Sequence, residues 1–201
     1  MKIRLTIKNY RCFTEANPAR LTICKGFTAL IGINNSGKTT ILKFFYEFRS
    51  LLETIKDSSP WEMCISGNET HLNLPKEIVN KQDIFCNTND HPIYIEIEFL
   101  REHISEAKDF VLPKKLLFTV NRNISYSCEV FAENIGLLSS EYHQFKILAN
   151  NIFCFSFKNH VHEPIIEIPY LELADILKSI SQTLYIGSFR NAINLFPTDN
   201  L

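Results

Sequence analysis

The run Gly32-Ile33-Asn34-Asn35-Ser36-Gly37-Lys38-Thr39-Thr40 follows the pattern G-x-x-x-x-G-K-[ST] and restricts the fold more than anything else in the chain. That pattern has meaning only between a buried strand and a helix. Phe27-Thr28-Ala29-Leu30-Ile31 precedes it, a short apolar run with the character of a buried parallel strand. Ile41, Leu42, Phe44, Phe45, Phe48, Leu51, Leu52 and Ile55 follow at three- and four-residue spacing, which predicts one amphipathic helix of about five turns. Strand, loop and helix together read as a phosphate-binding loop, so the chain is expected to bind a nucleoside triphosphate.

A helix N-terminus offers a dense anion its unpaired backbone N–H groups and the positive end of the helix dipole. Gly32 lets the chain turn off the strand, and Gly37 lets backbone approach phosphate oxygens with no Cβ in the way. Lys38 is expected to reach the β- and γ-phosphates as a point charge, and Thr39 to offer its hydroxyl to Mg²⁺ bridging them. Asn34 and Asn35 tolerate left-handed backbone and can do here what glycine does elsewhere; Ser36 and Thr40 complete the loop.

Composition bounds the class. Hydrophobic residues make up 45% of 201 positions and sixteen are phenylalanine, which suits a folded chain with a real core. A formal net charge of −1 gives no global pull towards nucleic acid, leaving only a local basic patch as an option. Six cysteines (Cys12, Cys24, Cys64, Cys86, Cys128, Cys154) form no C-x-x-C pair, and residues 1–10 alternate charge and apolarity instead of building a leader's apolar core. No apolar run reaches membrane-span length. Reduced, buried cysteines in a cytoplasmic protein are the expectation.

Three stretches emerge along the chain: 1–55 with the first strands, loop and helix; 56–91, an irregular insertion; and 92–201, an antiparallel β-subdomain returning to the core. Ile3, Leu5 and Ile7 alternate with Lys2, Arg4, Thr6 and Lys8 in a half-exposed strand, and Leu21-Thr22-Ile23 reads as a second. Turn residues fill 56–91, with one short helix predicted near Pro75 to Lys81. Ile93, Ile95, Ile97 and Phe99 mark a strand; Leu116–Val120 and Ile124–Phe131 flank Asn121-Arg122-Asn123 as a hairpin. Ser139 or Ser140 is read as capping a helix that presents Tyr142, Phe145 and Leu148. Phe153, Phe155 and Phe157 line a strand, followed by Pro164 to Ile168; Pro169 then opens a helix, and Thr183–Ile186 makes a last buried strand.

Ile3-Arg4-Leu5-Thr6-Ile7, then Lys8-Asn9-Tyr10-Arg11-Cys12-Phe13, then the strand into Gly32–Thr40, resembles the start of an SMC/RecF-type ABC ATPase, nearest to the OLD-like and RecF-like ATPases of bacterial DNA repair and anti-phage defence. Residues 1–55 carry the resemblance, and Leu184–Asn191 matches more loosely. It implies an α/β P-loop NTPase fold of the ABC/SMC head type, an antiparallel β-subdomain on a RecA-like core, in its N-terminal portion only. It implies ATP with Mg, Arg11 approaching the nucleotide from the first strand's turn, and a head-to-head pair with two ATPs at the interface. The partners it implies are a second head in a homo-oligomer, DNA, and a nuclease or toxin effector, with no membrane. The chain departs from the family where hydrolysis is completed. None of its six glycines is adjacent to another, so no Ser-Gly-Gly signature loop exists, and no apolar strand ends in Asp-Glu. The expectation is half of a head, a fragment or a piece of a split protein, slow at hydrolysis alone.

A non-catalytic module that uses ATP as structural glue is the alternative reading. An unrelated P-loop kinase or GTPase is the third reading: Asn80-Lys81-Gln82-Asp83 spells the base-reading N-K-x-D of GTPases, but no buried strand precedes it and no D-x-x-G comes before it. His160, His162 and Glu163 lack a further partner for a metal site. Arg101, Lys108, Lys114 and Lys115 interleave with Glu102, Glu106 and Asp109, which suits a solvated helix face better than a phosphate-backbone patch. Arg190 and Asn191 follow the last buried strand, where open α/β sheets place ligand groups.

Overall fold

The alternating strands find their partners in one antiparallel sheet. The computed structural model describes residues 2–24, 30, 36–54, 69–100, 113–132, 136–137, 142–147, 152–157 and 166–169. In chain order the elements are β1 (Lys2–Lys8), β2 (Ala19–Cys24), α1 (Lys38–Glu47), α2 (Arg49–Thr54), β3 (Thr70–His71), a 3₁₀ turn η1 (Lys81–Ile84), β4 (Ile93–Leu100), β5 (Pro113–Val120), β6 (Ser125–Ala132), β7 (Gly136–Leu137), β8 (Tyr142–Ile147), β9 (Ile152–Phe157) and β10 (Ile166–Pro169). The larger sheet runs β2-β1-β4-β5-β6-β3, with β7 also on β6; a separate sheet runs β10-β9-β8.

Register explains why the sheet holds. Leu5 faces Leu21 and Ile97, and Ile97 faces Leu116; Ile7 faces Ala19 and Ile95, and Ile95 faces Phe118. Each row therefore puts apolar side chains on one face across four strands, and all of them but the partly buried Leu21 are almost fully buried. The opposite face carries Arg4 on Glu98 at 2.8 Å, Lys8 on Glu96 at 2.6 Å and the Lys115 ammonium 4.4 Å from the centre of the Phe131 ring. Lys114 and Lys115 thus belong to a strand, not to the charged helix face that the sequence spacing suggests.

The helix after the loop is shorter than its periodicity predicts. It stops at Glu47, and Phe48 takes φ −99°, ψ 14° before α2 begins. The backbone bonds Phe48 N to Phe44 O and Leu52 N to Phe48 O continue across the bend. The cause is aromatic: Phe48 stacks on Phe44 at 4.8 Å and meets the Tyr10 ring edge-on at 5.7 Å, so the bend brings Phe44, Phe48, Leu51 and Leu52 onto the sheet together.

Between residues 69 and 91 regular structure is limited to β3 and η1, yet the segment packs on the sheet. Thr70 pairs with Tyr126, while Leu72, Ile84, Phe85 and Cys86 enter the core. The short helix is the 3₁₀ turn at Lys81–Ile84, later than predicted, because Asn80 Oδ1 accepts from Gln82 N and caps it there. Tyr142–Ile147 is a strand and not the predicted helix. Its period is two: Phe145 registers with Phe155 and Ile147 with Phe153, and β10 places Ile166 and Ile168 in those same rows. The buried-strand reading of Phe27–Ile31, the helix after Pro169, the Thr183–Ile186 strand, His160, His162, Glu163, Arg190 and Asn191 fall outside the described residues, apart from Leu30, which is half-buried coil. Among the described residues no helix is long and apolar enough to cross a membrane.

Candidate functional site

Helix α1 begins where the loop motif requires. Gly37 is its N-cap, with φ 83° and ψ 6° in the left-handed region, and Ile41 N bonds back to Gly37 O at 3.0 Å. A Cβ on Gly37 would lie 2.7 Å from Phe13 Cε1 and 2.8 Å from Cζ, so both backbone angle and space select glycine. Among the described residues no side chain caps the first turn and no acid sits in it, which leaves its N–H groups for an anion. Lys38 Nζ donates to Ser36 Oγ at 3.2 Å; Thr39 is exposed, and Thr40 Oγ1 receives Cys12 Sγ at 3.7 Å. The structure therefore gathers Ser36, Gly37, Lys38, Thr39 and Thr40 at one helix end. Gly32, Asn34 and Asn35 lie outside the described residues.

Arg11 goes elsewhere with its guanidinium. Nη2 donates to Glu47 Oε1 at 2.6 Å, and Nε lies 3.3 Å from the Tyr10 hydroxyl, which itself donates to Glu47 Oε2 at 2.7 Å. Glu47 closes α1 about 15 Å along the axis from Gly37. An acid at a helix C-terminus is opposed by the dipole and, when buried, by desolvation; Arg11 and Tyr10 offset both. Burial and the Glu47 carboxylate push the Tyr10 phenol well above its ordinary range. The turn that carries these groups is strained by design: Asn9 and Arg11 sit at φ 57° and 50°. Asn9 is fully buried, donates to Pro92 O and accepts from Asn89 Nδ2, which secures the turn to the loop before β4.

A cavity of about 610 Å³ opens beside this turn, with Arg11, Cys12, Gln82, Asp83, Asn89 and Arg122 in its wall. Arg122, from the β5–β6 hairpin, holds the 82–90 loop: Nη2 donates to Asn89 O at 2.6 Å, Nη1 to Gln82 Oε1 at 3.2 Å, and the guanidinium lies 5.0 Å from the Phe85 centroid. The N-K-x-D residues form the capped 3₁₀ turn on this wall, where Asp83 Oδ1 accepts from Asn80 Nδ2. Cys12 is exposed, against the expectation of buried cysteines; Cys86 and Cys128 are buried. Among the described residues no three His, Cys, Asp or Glu side chains converge as a metal site.

Sequence reasoning missed Glu47, Tyr10 and Phe13. The signal for Glu47 was present: it interrupts the apolar stripe Phe44, Phe48, Leu51, and an acid on a buried face demands a partner. A search among curated proteins finds no match. A family model described as AAA ATPase domain matches residues 1–192, nearly the whole chain, and the loop, its helix and the mixed strand-rich fold agree with a P-loop NTPase that uses ATP. The chain belongs to the AAA ATPase domain family.

Proposed function

We propose that this chain is the nucleotide-binding part of an SMC/RecF/OLD-like ATPase head, in which Mg-ATP brings two heads together and so controls action on DNA or on a nuclease or toxin effector, in repair or anti-phage defence. The observation that carries this reading is Gly37: a left-handed N-cap whose missing Cβ keeps the start of α1 open, with Lys38 and Thr39 immediately after it. Lys38 then serves the β- and γ-phosphates, Thr39 the Mg²⁺, and the backbone from Gly32 through Asn34, Asn35, Ser36 and Gly37 to Thr40 cradles the anion. Arg11 enters this reading through the cavity wall beside Cys12, with its guanidinium bracing α1 at Glu47.

A second reading, an ATP-binding module that assembles without turnover, is favoured by the acids of β4. Glu96 and Glu98 pair with Lys8 and Arg4 on the face away from the core and so serve the sheet. The test is sedimentation of the chain with and without Mg and a non-hydrolysable ATP analogue. A nucleotide-dependent dimer that Lys38→Ala fails to form supports the head reading; a monomer in both conditions, with tight nucleotide binding retained, contradicts it.

A further inference from the structure

The β1–β2 turn touches both ends of the helix that follows the phosphate loop. At the far end Tyr10 and Arg11 hold Glu47. At the near end Cys12 reaches Thr40, and the edge of the Phe13 ring faces Gly37 closely enough that a single added carbon would overlap it. Phe13 is itself fixed. Its N–H bonds to Tyr10 O at 2.9 Å and its carbonyl accepts from Tyr10 N at 3.1 Å, while its ring lies 6.5 Å from the Tyr10 ring at an interplanar angle of 29°. It also packs against the buried core cluster. The ring is therefore a rigid wall whose position the sheet determines, and the last glycine of the loop rests on it.

We infer that Phe13 is a positioning residue for nucleotide: it sets the path of the backbone at Gly37, so that the N–H groups entering α1 meet the phosphates in register. This rests on the reading of residues 32–40 as a phosphate loop. The chemistry it serves is general. Backbone donors hold an anion well only when their directions are fixed in advance, and a shift of about 1 Å in such a site costs on the order of a hundredfold. Removing the wall leaves Gly37 free to sample the wide range of backbone angles that glycine permits.

The experiment is a two-residue cycle read by equilibrium binding of Mg-ATP to the intact chain, with thermal unfolding of each variant alongside. Phe13→Leu, which keeps an apolar wall, should bind within about threefold of wild type, and Phe13→Ala about tenfold more weakly. Gly37→Ala in the Phe13 background meets both the ring and the left-handed backbone penalty and should weaken binding by about a hundredfold or more. In the Phe13→Ala background the ring is gone, and the same substitution should cost only about tenfold. A residue that merely stabilises the fold would give factors that multiply. Equal cost of Gly37→Ala in both backgrounds, or unchanged affinity in Phe13→Ala, overturns the inference while leaving the loop reading intact. Should Phe13→Ala fold poorly, the larger side chain of Phe13→Trp gives the complementary test: weaker nucleotide binding with unchanged melting supports the wall, and unchanged binding overturns it. Absence of binding by wild type, or binding that Lys38→Ala does not weaken, overturns the loop reading and this inference together.

Discussion

Arg11→Ala should destabilise this protein markedly, through the buried carboxylate of Glu47 that the guanidinium holds. Glu47 is 6% exposed at the side chain, and in the native chain it accepts from Arg11 Nη2 at 2.6 Å and Tyr10 Oη at 2.7 Å. The substitution leaves a carboxylate at a helix C-terminus with one neutral donor. Breaking a fully buried pair costs about 3–5 kcal/mol. The Arg11 side chain is 25% exposed, so water reaches the vacated place and lowers the cost to roughly 2–3 kcal/mol. Urea unfolding followed by circular dichroism measures it as a lower midpoint at constant slope. Glu47→Gln in the same background should recover about 1 kcal/mol, because the buried charge is then gone. A loss below about 0.5 kcal/mol for Arg11→Ala, the range of an ordinary surface change, would refute the argument. Lost ATP affinity with stability intact would instead place the guanidinium at the nucleotide.

Two further outcomes follow from strained or buried groups. Ile124 is buried at φ 65°, where the hairpin turn needs a left-handed residue, so Ile124→Gly should be more stable than Ile124→Ala by about 1 kcal/mol, the reverse of the usual order of glycine and alanine; thermal melts of the two variants decide it. Tyr10→Phe should cost about 2 kcal/mol at neutral pH through the lost bond to Glu47. The folded phenol is raised above its unfolded value of 10.0, so its contribution is complete below pH 10 and is lost as pH rises beyond it. The deficit of Tyr10→Phe should therefore be constant below pH 10 and shrink above it; a constant deficit through alkaline pH contradicts the buried-phenol argument.

Much of this molecule was legible because its strands alternate cleanly. Ile3, Leu5 and Ile7 and then Ile93, Ile95, Ile97 and Phe99 can bury one face only as strands, and turn chemistry at Asn121-Arg122-Asn123 fixes the β5–β6 hairpin. The helix start at Lys38 was legible because the G-K-[ST] run calls for a glycine-led helix N-terminus at that place. The bend at Phe48 was hidden, since its cause is a ring on another element, Tyr10. The β8 strand was misread because Tyr142, Phe145 and Leu148 fit a helical period while Phe145 and Ile147 fit a period of two; only pairing with β9 decides. The service of Arg11 to Glu47 joins residues 36 apart in sequence, and no local pattern reports that.

The most direct measurement is calorimetric titration of Mg-ATP into wild type and Lys38→Ala side by side. A phosphate loop at the start of α1 predicts saturable binding by wild type, weakened about 10- to 100-fold when the charge at Lys38 is lost, as removal of a charge-assisted contact of roughly 1.5–3 kcal/mol requires. Equal affinity in the two proteins would contradict it.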